Sequence, residues 1–454
     1  MTFQSINPFN NEVLAEIDVW QDEQIEAALA QVAAAAPGWQ ATSLSQRADY
    51  LLRVASILRE RKNALARTIT MEMGKLLREA EGEVEKCALV CEYYAQNAES
   101  FLADQVIVSD ASRSFVAMQP LGTVLAVMPW NFPLWQVFRF AAPALMAGNT
   151  GVLKHASNVP QCALAIEGVF HEAGLPEGVF RTFMVRAGQV EKLVADDRIH
   201  AVTLTGSEPA GRSVAALAGQ HLKKTVLELG GSDAFIVLED ADLERAVQGA
   251  ATSRFLNAGQ SCIAAKRFIV VDAVADAFVE SFKQACEQLV IGNPLESTTT
   301  LAPMARSDLR DEMHDQVTTT LSQGGKLVTG CEPVADTACF YTASIIDNVR
   351  PGMLAYDEEL FGPVASIIRV KDEVEALDVA NGSRFGLGGS VWTQDNERGE
   401  RVARKVASGA CFVNGFVKSD PRLPFGGIKA SGYGRELAQW GMHEFLNAKT
   451  VWIA

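Results

Sequence analysis

The sequence predicts an α/β protein made of two α/β units and a small β extension. Its 454 residues exceed what one hydrophobic core usually holds, so two or three packed units are expected. From residue 122 onward, short apolar runs alternate with helical patterns, and a second series of this kind begins near residue 234. Continuously apolar strands joined by helical crossovers are typical of a parallel sheet that is covered on both faces.

The individual elements follow from the periodicity of apolar residues along the chain. In the first hundred residues this spacing predicts helices within the stretches 21–36, 43–65 and 79–101. Two strands joined by a turn-prone segment are then expected at 105–109 and 113–118. The first α/β series predicts strands at 123–128, 150–153, 179–185 and 201–205, with helices at 134–147 and 160–173. The second series opens with strands at 234–238 and 267–271 and extends to about residue 430.

Composition and charge exclude several classes of partner. The formal net charge of −15 would repel nucleic acid and anionic membranes, so neither is expected as a partner. The N-terminus lacks the pattern of a secretory signal, and no apolar run approaches the roughly 20 residues of a membrane span. The eight cysteines are scattered without a CxxC pair or a matching histidine, so no metal is expected and a cytoplasmic location is predicted.

Cys262 is the strongest candidate for catalysis. It follows Gly259, Gln260 and Ser261, a polar and flexible stretch in which an accessible thiol is expected. A thiolate at this position could attack a carbonyl carbon. The alternative is that Cys262 is a small buried apolar residue, as many free cysteines are.

Glu228 and Asn131 would supply the other groups needed for covalent chemistry at a carbonyl. Glu228 lies between an apolar strand and two glycines, where loss of hydration would raise its pKa toward that of a general base. The alternative is a salt-bridged residue that caps the following turn. Asn131 lies between a strand and a helix, so its amide can donate to an oxyanion, or else it simply forms the turn.

Two weaker features indicate a dinucleotide. Gly206 and Ser207 end a strand and open a helix, with Gly211 one turn later, and backbone N–H groups at a helix start bind phosphate. Lys154 at the end of a strand could reach ribose hydroxyls, although a surface lysine is the alternative. The GxGxxG pattern of many dinucleotide-binding folds is missing.

Six short motifs occur in the order and spacing of the aldehyde dehydrogenase superfamily. They are PWNFP at 129–133, LTGS at 204–207, LELGG at 227–231, GQSC at 259–262, EELFGP at 358–363 and PFGG at 424–427. The chain resembles this superfamily over essentially its whole length, and within it is most similar to the bacterial succinate-semialdehyde dehydrogenases. The resemblance implies a Rossmann-type cofactor domain that lacks GxGxxG, an α/β catalytic domain and a small β oligomerisation extension.

The same resemblance implies the domain boundaries. The NAD(P)-binding domain is expected at 1–104 and 122–230, the catalytic domain at 231–432, and the oligomerisation extension at 105–121 and 433–454. An exposed two-stranded extension is unstable alone and favours pairing with another subunit. A homodimer or homotetramer is therefore expected.

The resemblance also implies a role for each candidate residue. Cys262 is the thiolate that attacks the aldehyde to form a thiohemiacetal, and Asn131 with the Cys262 backbone N–H forms the oxyanion hole. After hydride passes to the nicotinamide, Glu228 activates the water that hydrolyses the thioester. The residues implied in cofactor binding are Trp130, Lys154, Ser157, Gly206, Ser207, Leu229, Glu359 and Phe361.

Ser157 departs from the pattern of many NAD-preferring members of the family. Those members often carry a glutamate at this position, where its carboxylate binds the adenosine ribose. Serine removes a charge that would repel a 2′-phosphate. The expected cofactor is therefore NADP or NAD.

The substrate side departs from the family as well. Succinate-semialdehyde enzymes typically bind the substrate carboxylate with two arginines, of which Arg139 matches one and Leu256 occupies the position of the other. Ser419 is a candidate substitute, together with Lys418 and Arg422 on the same loop. A structural role for Arg139 is an equally open alternative.

The expected function is the NAD(P)+-dependent oxidation of an aldehyde to a carboxylic acid, with succinate semialdehyde as the first candidate. A general aliphatic or other semialdehyde dehydrogenase is the alternative within the family. Enzymes that pass the acyl group to CoA usually lack the hydrolytic glutamate, which is present here as Glu228. A catalytically silent dinucleotide-binding protein would have lost Cys262 or Asn131, and a cysteine hydrolase would need a paired histidine that no motif suggests.

Overall fold

Two mostly parallel sheets form the framework of the molecule in a computed structural model that describes residues 1–335 and 339–454. Across the first sheet the described strands lie in the order Gly432–Tyr433 (β17), Lys224–Glu228 (β9), Ala201–Thr205 (β8), Thr123–Met128 (β5), Thr150–His155 (β6) and Phe180–Thr182 (β7). These strands are parallel except for β17, which runs antiparallel to β9. The continuous apolar runs produce this arrangement because both faces of the sheet are buried.

The second sheet is built in the same way. Its described strands lie in the order Lys326–Thr329 (β12), Ser344–Asp347 (β13), Val364–Val370 (β14), Ala265–Val271 (β11), Asp233–Val237 (β10), Gly388–Trp392 (β15) and Ala410–Val413 (β16). Neighbours are parallel except for the edge strand β12, which is antiparallel to β13. The predicted α/β class with parallel sheets is thereby confirmed.

A smaller antiparallel sheet extends from the first unit. It pairs Leu446–Ile453 (β18) with Arg113–Pro120 (β4), and β4 with Gln105–Val106 (β3). The strand β3 is shorter than the predicted 105–109: beyond Val106 the Ile107 N–H still donates to the Ser114 carbonyl, but Val108 is almost fully exposed. A separate N-terminal hairpin pairs Thr2–Ile6 (β1) with Val13–Asp18 (β2).

Helices cover both faces of each large sheet. The helices of the first unit are Asp22–Gln40 (α1), Leu44–Glu60 (α2), Lys62–Met73 (α3), Leu77–Leu102 (α4), Trp135–Met146 (α5), Pro160–Glu172 (α6), Val190–Ala195 (α7), Glu208–Gln220 (α8) and Ala438–His443 (α15). Those of the second unit are Leu243–Phe255 (α9), Asp272–Glu287 (α10), Ser307–Ser322 (α11), Leu354–Asp357 (α12), Glu373–Asn381 (α13) and Asn396–Ala403 (α14). Among the described residues, no helix combines the length and apolarity needed to cross a bilayer.

Local signals set where several helices begin and end. Ser43 and Gln46 form a reciprocal capping box at the start of α2, which satisfies two N–H groups that the helix leaves free. Gly74 ends α3 in the left-handed conformation that glycine tolerates, with a φ of 81°. This turn starts the long helix α4, which packs against α2, α3 and α5.

The C-terminal segment differs from the predicted extension at 433–454. Tyr433 pairs with Leu227 at the edge of the first sheet, and Met442 and Phe445 are buried in the core of that unit. The pairing with β4 begins at Leu446. Residues 433–445 therefore pack with the first unit, because Met442 and Phe445 are buried there, and β18 continues into the small sheet.

Candidate active site

Two cavities meet at Cys262. The small cavity has a volume of about 310 Å³ and includes Phe132, Trp135, Arg139 and Phe425 in its lining. The large cavity, of about 710 Å³, lies at the carboxyl ends of strands β5, β8 and β9. Cys262 lines both cavities and is half-buried. A reagent bound in either cavity would therefore lie near this thiol.

The loop that carries Cys262 has an unusual backbone. Asn257 and Ala258 adopt left-handed conformations, with φ of 54° and 52°, which usually cost energy for residues other than glycine. The loop is held by Glu79, which accepts a 3.1 Å hydrogen bond from the Asn257 N–H. The Asn257 amide also donates to the Asn131 carbonyl at 2.8 Å. These contacts tie the thiol loop to the segment that contains Asn131.

The environment of Cys262 favours the protonated thiol. Burial raises the pKa of Cys262 to about 12, although Lys266 and Arg139 lower it in part. A thiol with this pKa is protonated near neutral pH, so nucleophilic attack needs a group that accepts its proton. The sequence predicts a thiolate at this position, whereas in the structure the effect of burial on the pKa outweighs that of the nearby cations.

Glu228 ends strand β9 and is fully enclosed. Both of its carboxylate oxygens are buried and lack a hydrogen-bond partner among the described residues. Burial raises the pKa of Glu228 well above 4.5; the nearby Glu436 carboxylate raises it further, and Arg139 opposes this. Glu228 forms no salt bridge with any described residue, so the turn-cap alternative is not supported, and the group is suited to proton transfer.

A glycine makes room for this carboxylate. Gly426 has a φ of 151°, and a Cβ atom there would lie 2.5 Å from Glu228 Oε1. Any larger residue would displace the glutamate. This close approach explains why PFGG accompanies LELGG although the two motifs lie far apart in sequence.

Asn131 faces the cysteine loop from the other side. Its side-chain amide donates to the Gln260 carbonyl at 3.2 Å. Its own carbonyl accepts a 2.9 Å hydrogen bond from Lys75 Nζ. Asn131 is thus buried between two elements with its donor directed toward the residues that precede Cys262, as a group that stabilises an oxyanion requires.

The large cavity contains six of the eight predicted cofactor residues, namely Trp130, Gly206, Ser207, Leu229, Glu359 and Phe361. Ser207 is the N-cap of α8, yet its hydroxyl makes no capping bond. The hydroxyl and the helix N-terminus are therefore available to a phosphate. The rings of Trp130 and Phe361 meet edge to face, with centroids 6.0 Å apart.

Glu359 is held in this cavity by a cation that the sequence analysis missed. Lys266 pairs with Glu359 at 2.9 Å and also donates to the Ser261 and Cys262 carbonyls, each at 2.7 Å. The sequence could not indicate this role, because Lys266 lies among apolar residues in β11 and no motif distinguishes a lysine that pairs within the site from any other lysine in a strand. One lysine therefore connects the thiol loop with the large cavity.

The remaining two cofactor candidates lie in a third cavity of about 550 Å³. Lys154 and Ser157 line it together with Arg186 and Arg306. Asn158 also lines it, and its buried Nδ2 has no hydrogen-bond partner within the part of the chain that the structure describes. Arg306 is ion-paired with Asp308. Lys154 and Arg186 together with the unpaired donor of Asn158 fit a phosphate.

The predicted substrate residues Arg139 and Ser419 both line the small cavity, and each already has a partner. The Arg139 guanidinium forms a buried ion pair with Glu436, donates to Thr205 at 3.3 Å and lies over the Phe425 ring. These contacts favour the structural alternative for Arg139. Ser419 accepts a 2.6 Å hydrogen bond from Lys86, a residue that the sequence analysis did not single out.

The described residues offer no cluster of side chains that could bind a metal ion. In the ranges 1–335 and 339–454, no group of three or more His, Cys, Asp or Glu side chains is placed to hold a metal ion.

The comparison with known proteins identifies the family. The model of the aldehyde dehydrogenase family matches residues 1–451. The chain belongs to the aldehyde dehydrogenase family. The predicted resemblance and the predicted fold class are thereby confirmed.

Relatives in this family extend over the full chain. The protein is 49% identical over 454 residues to a probable succinate-semialdehyde dehydrogenase (NADP+) of Synechocystis sp., covering 100% of both chains. It is 47% identical over 457 residues to a succinate-semialdehyde dehydrogenase (NADP+) of Mycolicibacterium paratuberculosis, covering 100% of this chain and 97% of the other. The crystal structure of the succinic semialdehyde dehydrogenase from Streptococcus pyogenes in complex with NADP+ matches with a TM-score of 0.98 and 40% identity over 99% of both chains.

Proposed function

We propose that this aldehyde dehydrogenase oxidises succinate semialdehyde to succinate with NADP+. The observation that carries the proposal is the meeting of two cavities at Cys262, one large enough for a dinucleotide end and one suited to a small aldehyde. Relatives named for this activity at 47–49% identity over the full chain support the choice of substrate. Family membership favours an active enzyme over a silent structural protein, because Cys262, Glu228 and Asn131 are all retained.

The chain's own residues would perform the covalent steps. Cys262 gives up its thiol proton to solvent and its sulfur attacks the aldehyde carbon, while the Asn131 amide together with the Cys262 N–H stabilises the oxyanion. A bound nicotinamide supplies the acceptor for the hydride. Glu228 takes a proton from the water that hydrolyses the resulting thioester, and the carboxylic acid and the free thiol are released.

The two units would divide these tasks. The first unit contributes Trp130, Ser207 and Glu228 from the carboxyl ends of its strands, where parallel sheets commonly bind ligands. The second unit contributes Cys262 and Phe361. We assign the first as the NAD(P)-binding domain and the second as the catalytic domain.

The third cavity supports NADP+ as the cofactor. Lys154, Arg186 and Arg306 line it, and of its described lining residues none is acidic. A 2′-phosphate carries negative charge and several acceptor oxygens, which these cations and Asn158 Nδ2 can satisfy. Ser157 at this position offers a hydroxyl instead of a charge that would repel the phosphate.

The test is a comparison of initial rates with succinate semialdehyde and with butanal, each with NADP+ and NAD+ in excess. We expect kcat/KM to be at least about 30-fold higher for succinate semialdehyde, because a site built for a charged group loses a buried interaction with butanal. We expect NADP+ to be preferred over NAD+. Equal efficiency on butanal would reduce the function to that of a general aldehyde dehydrogenase.

We further propose a homodimer or homotetramer formed through the small sheet. Val106, Trp452 and Ile453 on this sheet are 69%, 53% and 45% exposed, which is unfavourable for apolar side chains on an extended edge. Light scattering at micromolar concentration is expected to give a mass of at least twice 49.0 kDa. A mass of one chain would contradict the proposal.

We also propose that the enzyme works in the cytoplasm. All eight cysteines are free thiols, which fits a reducing compartment. Recovery of the active enzyme from an extracytoplasmic fraction would overturn this assignment.

A further inference from the structure

The small cavity contains more cations than its carboxylates can pair. Along one face of α4 the residues Glu79, Gly82, Glu83 and Lys86 follow helical spacing and all line the cavity. Lys75 at the start of this region pairs with Glu83, and both side chains are almost completely buried. The cavity lining therefore contains one ion pair that is complete without any ligand.

The other buried cation of the lining is also paired. Arg139 is bound to Glu436 beneath the cavity, and truncating either partner would leave an uncompensated buried charge. Its guanidinium is therefore already occupied in the structure. An incoming carboxylate would have to compete with Glu436 for it.

Lys86 is different, because it forms no ion pair with any described carboxylate. Its ammonium donates a 2.6 Å hydrogen bond to Ser419 Oγ and lies 4.2 Å from the centroid of the Trp135 ring. An ammonium offers three donors, so at least one remains for a ligand. Lys86 and Ser419 line the same cavity as the Cys262 thiol.

We propose that Lys86, together with Ser419, binds the carboxylate of the substrate in the small cavity. This assignment rests on the proposed function and deepens it, because it names the group that distinguishes a semialdehyde acid from a plain aldehyde. Lys86 takes the place of the second arginine, whose position Leu256 occupies. Leu256 lines the cavity but offers only apolar contact.

The electrostatics of the cavity agree with this assignment. Burial lowers the pKa of Lys86 to about 8; the positive charge of Arg139 adds to this, whereas Glu83 and Asp420 oppose it in part. A bound carboxylate would raise this pKa again, so the anion and the ammonium stabilise each other. Burial also raises the pKa of Glu79 to about 7, which weakens its repulsion of an anionic substrate near neutral pH.

Lys418 is the rival cation on the same cavity. It lines the cavity from the loop that contains Ser419, but its side chain is exposed. An exposed charge is well solvated and interacts weakly with a ligand. The half-buried Lys86, held by Ser419 and Trp135, is better placed to discriminate between charged and uncharged aldehydes.

The test measures kcat and KM of the full-length enzyme with succinate semialdehyde and with butanal, in wild type, Lys86→Met, Lys86→Arg and Lys418→Met. In Lys86→Met we expect the ratio of the two kcat/KM values to fall by at least about 50-fold, mainly through KM for succinate semialdehyde. Lys86→Arg should keep the ratio within about 5-fold of wild type, because it retains the charge. Lys418→Met should change the ratio by less than about 3-fold.

The results distinguish failure of the Lys86 assignment from failure of the proposed succinate-semialdehyde activity. If wild type prefers succinate semialdehyde and Lys86→Met keeps that preference, the Lys86 assignment is overturned while the function stands. If Lys418→Met loses the preference instead, the substrate carboxylate is bound by Lys418 on the loop that contains Ser419, and the Lys86 assignment is overturned. If wild type shows no preference, the proposed function itself fails. Butanal turnover by Lys86→Met shows that the variant is folded, so a loss confined to the charged substrate supports the proposal.

Discussion

Replacing Cys262 with alanine is expected to lower kcat by on the order of 10⁵-fold or more, which corresponds to about 7 kcal/mol of transition-state stabilisation. Without the thiol no thiohemiacetal or thioester forms, and the oxyanion donors have no covalent intermediate to stabilise. The rate is measured from the formation of reduced cofactor with succinate semialdehyde as substrate. The free energy of unfolding should change by less than about 1 kcal/mol, since the side chain is small and half-buried.

Cys411 offers the matched control for this substitution. It is also a free, half-buried cysteine, but it lies on β16 and lines neither the small nor the large cavity. Cys411→Ala should retain kcat within about 2-fold of wild type. Cofactor binding by Cys262→Ala, followed by fluorescence, should persist. A Cys262→Ala rate within about 100-fold of wild type would mean that the nucleophile lies elsewhere.

Replacing Glu228 with glutamine is expected to lower the steady-state kcat by about 10²–10⁴-fold. Glutamine keeps the shape of the side chain but cannot take a proton from water, so hydrolysis of the thioester becomes slow. The first turnover should remain fast, because the attack by Cys262 does not involve the hydrolytic water and its thiol proton can pass to solvent in the cavity. A stopped-flow experiment should therefore show a burst of reduced cofactor that equals the concentration of active sites.

A slow rate without this burst would contradict the prediction in an informative way. It would mean that Glu228 acts before hydrolysis, as the acceptor of the thiol proton of Cys262. The raised pKa of Cys262 means that its thiol must lose a proton before attack, and Glu228 lines the same cavity, where it could accept that proton. The burst experiment therefore distinguishes a Glu228 that only activates the hydrolytic water from one that also accepts the thiol proton of Cys262.

The pH dependence of the wild type follows from the same carboxyl group. Glu228 is a base only when deprotonated, and its pKa is raised well above 4.5. The kcat of wild type should therefore decline as the pH falls through this raised pKa, at a higher pH than for an ordinary glutamate. In Glu228→Gln this acidic decline should be absent from the residual rate.

Much of the catalytic site could be predicted from local sequence. Asn131 and Glu228 each lie directly after an apolar strand, and Cys262 lies in a polar, glycine-containing loop. The carboxyl ends of parallel strands meet at one edge of a sheet, which brings Asn131 and Glu228 together, whereas Cys262 comes from the second unit and only the fold places it beside them. The order and spacing of the six motifs indicated the family, and the family resemblance implied a role for each residue.

The charge pairing within the site could not be predicted in this way. From the sequence, Arg139 could be either a substrate ligand or a structural residue. Only the fold shows that it is paired with Glu436. Lys86 looked like one of several charged residues on a long amphipathic helix. Its role depends on Ser419, which lies in a distant part of the chain.

The sequence by itself determined the α/β class, the family and the candidates for the reactive groups, because these depend on periodicity and on short motifs with fixed neighbours. Only the tertiary structure decided which charged groups are already paired and which are free for a ligand. The physical reason is that a buried charge is stabilised by whichever opposite charge the fold brings beside it. For Arg139 that partner is Glu436, and Lys86 is left with a hydroxyl and an aromatic ring.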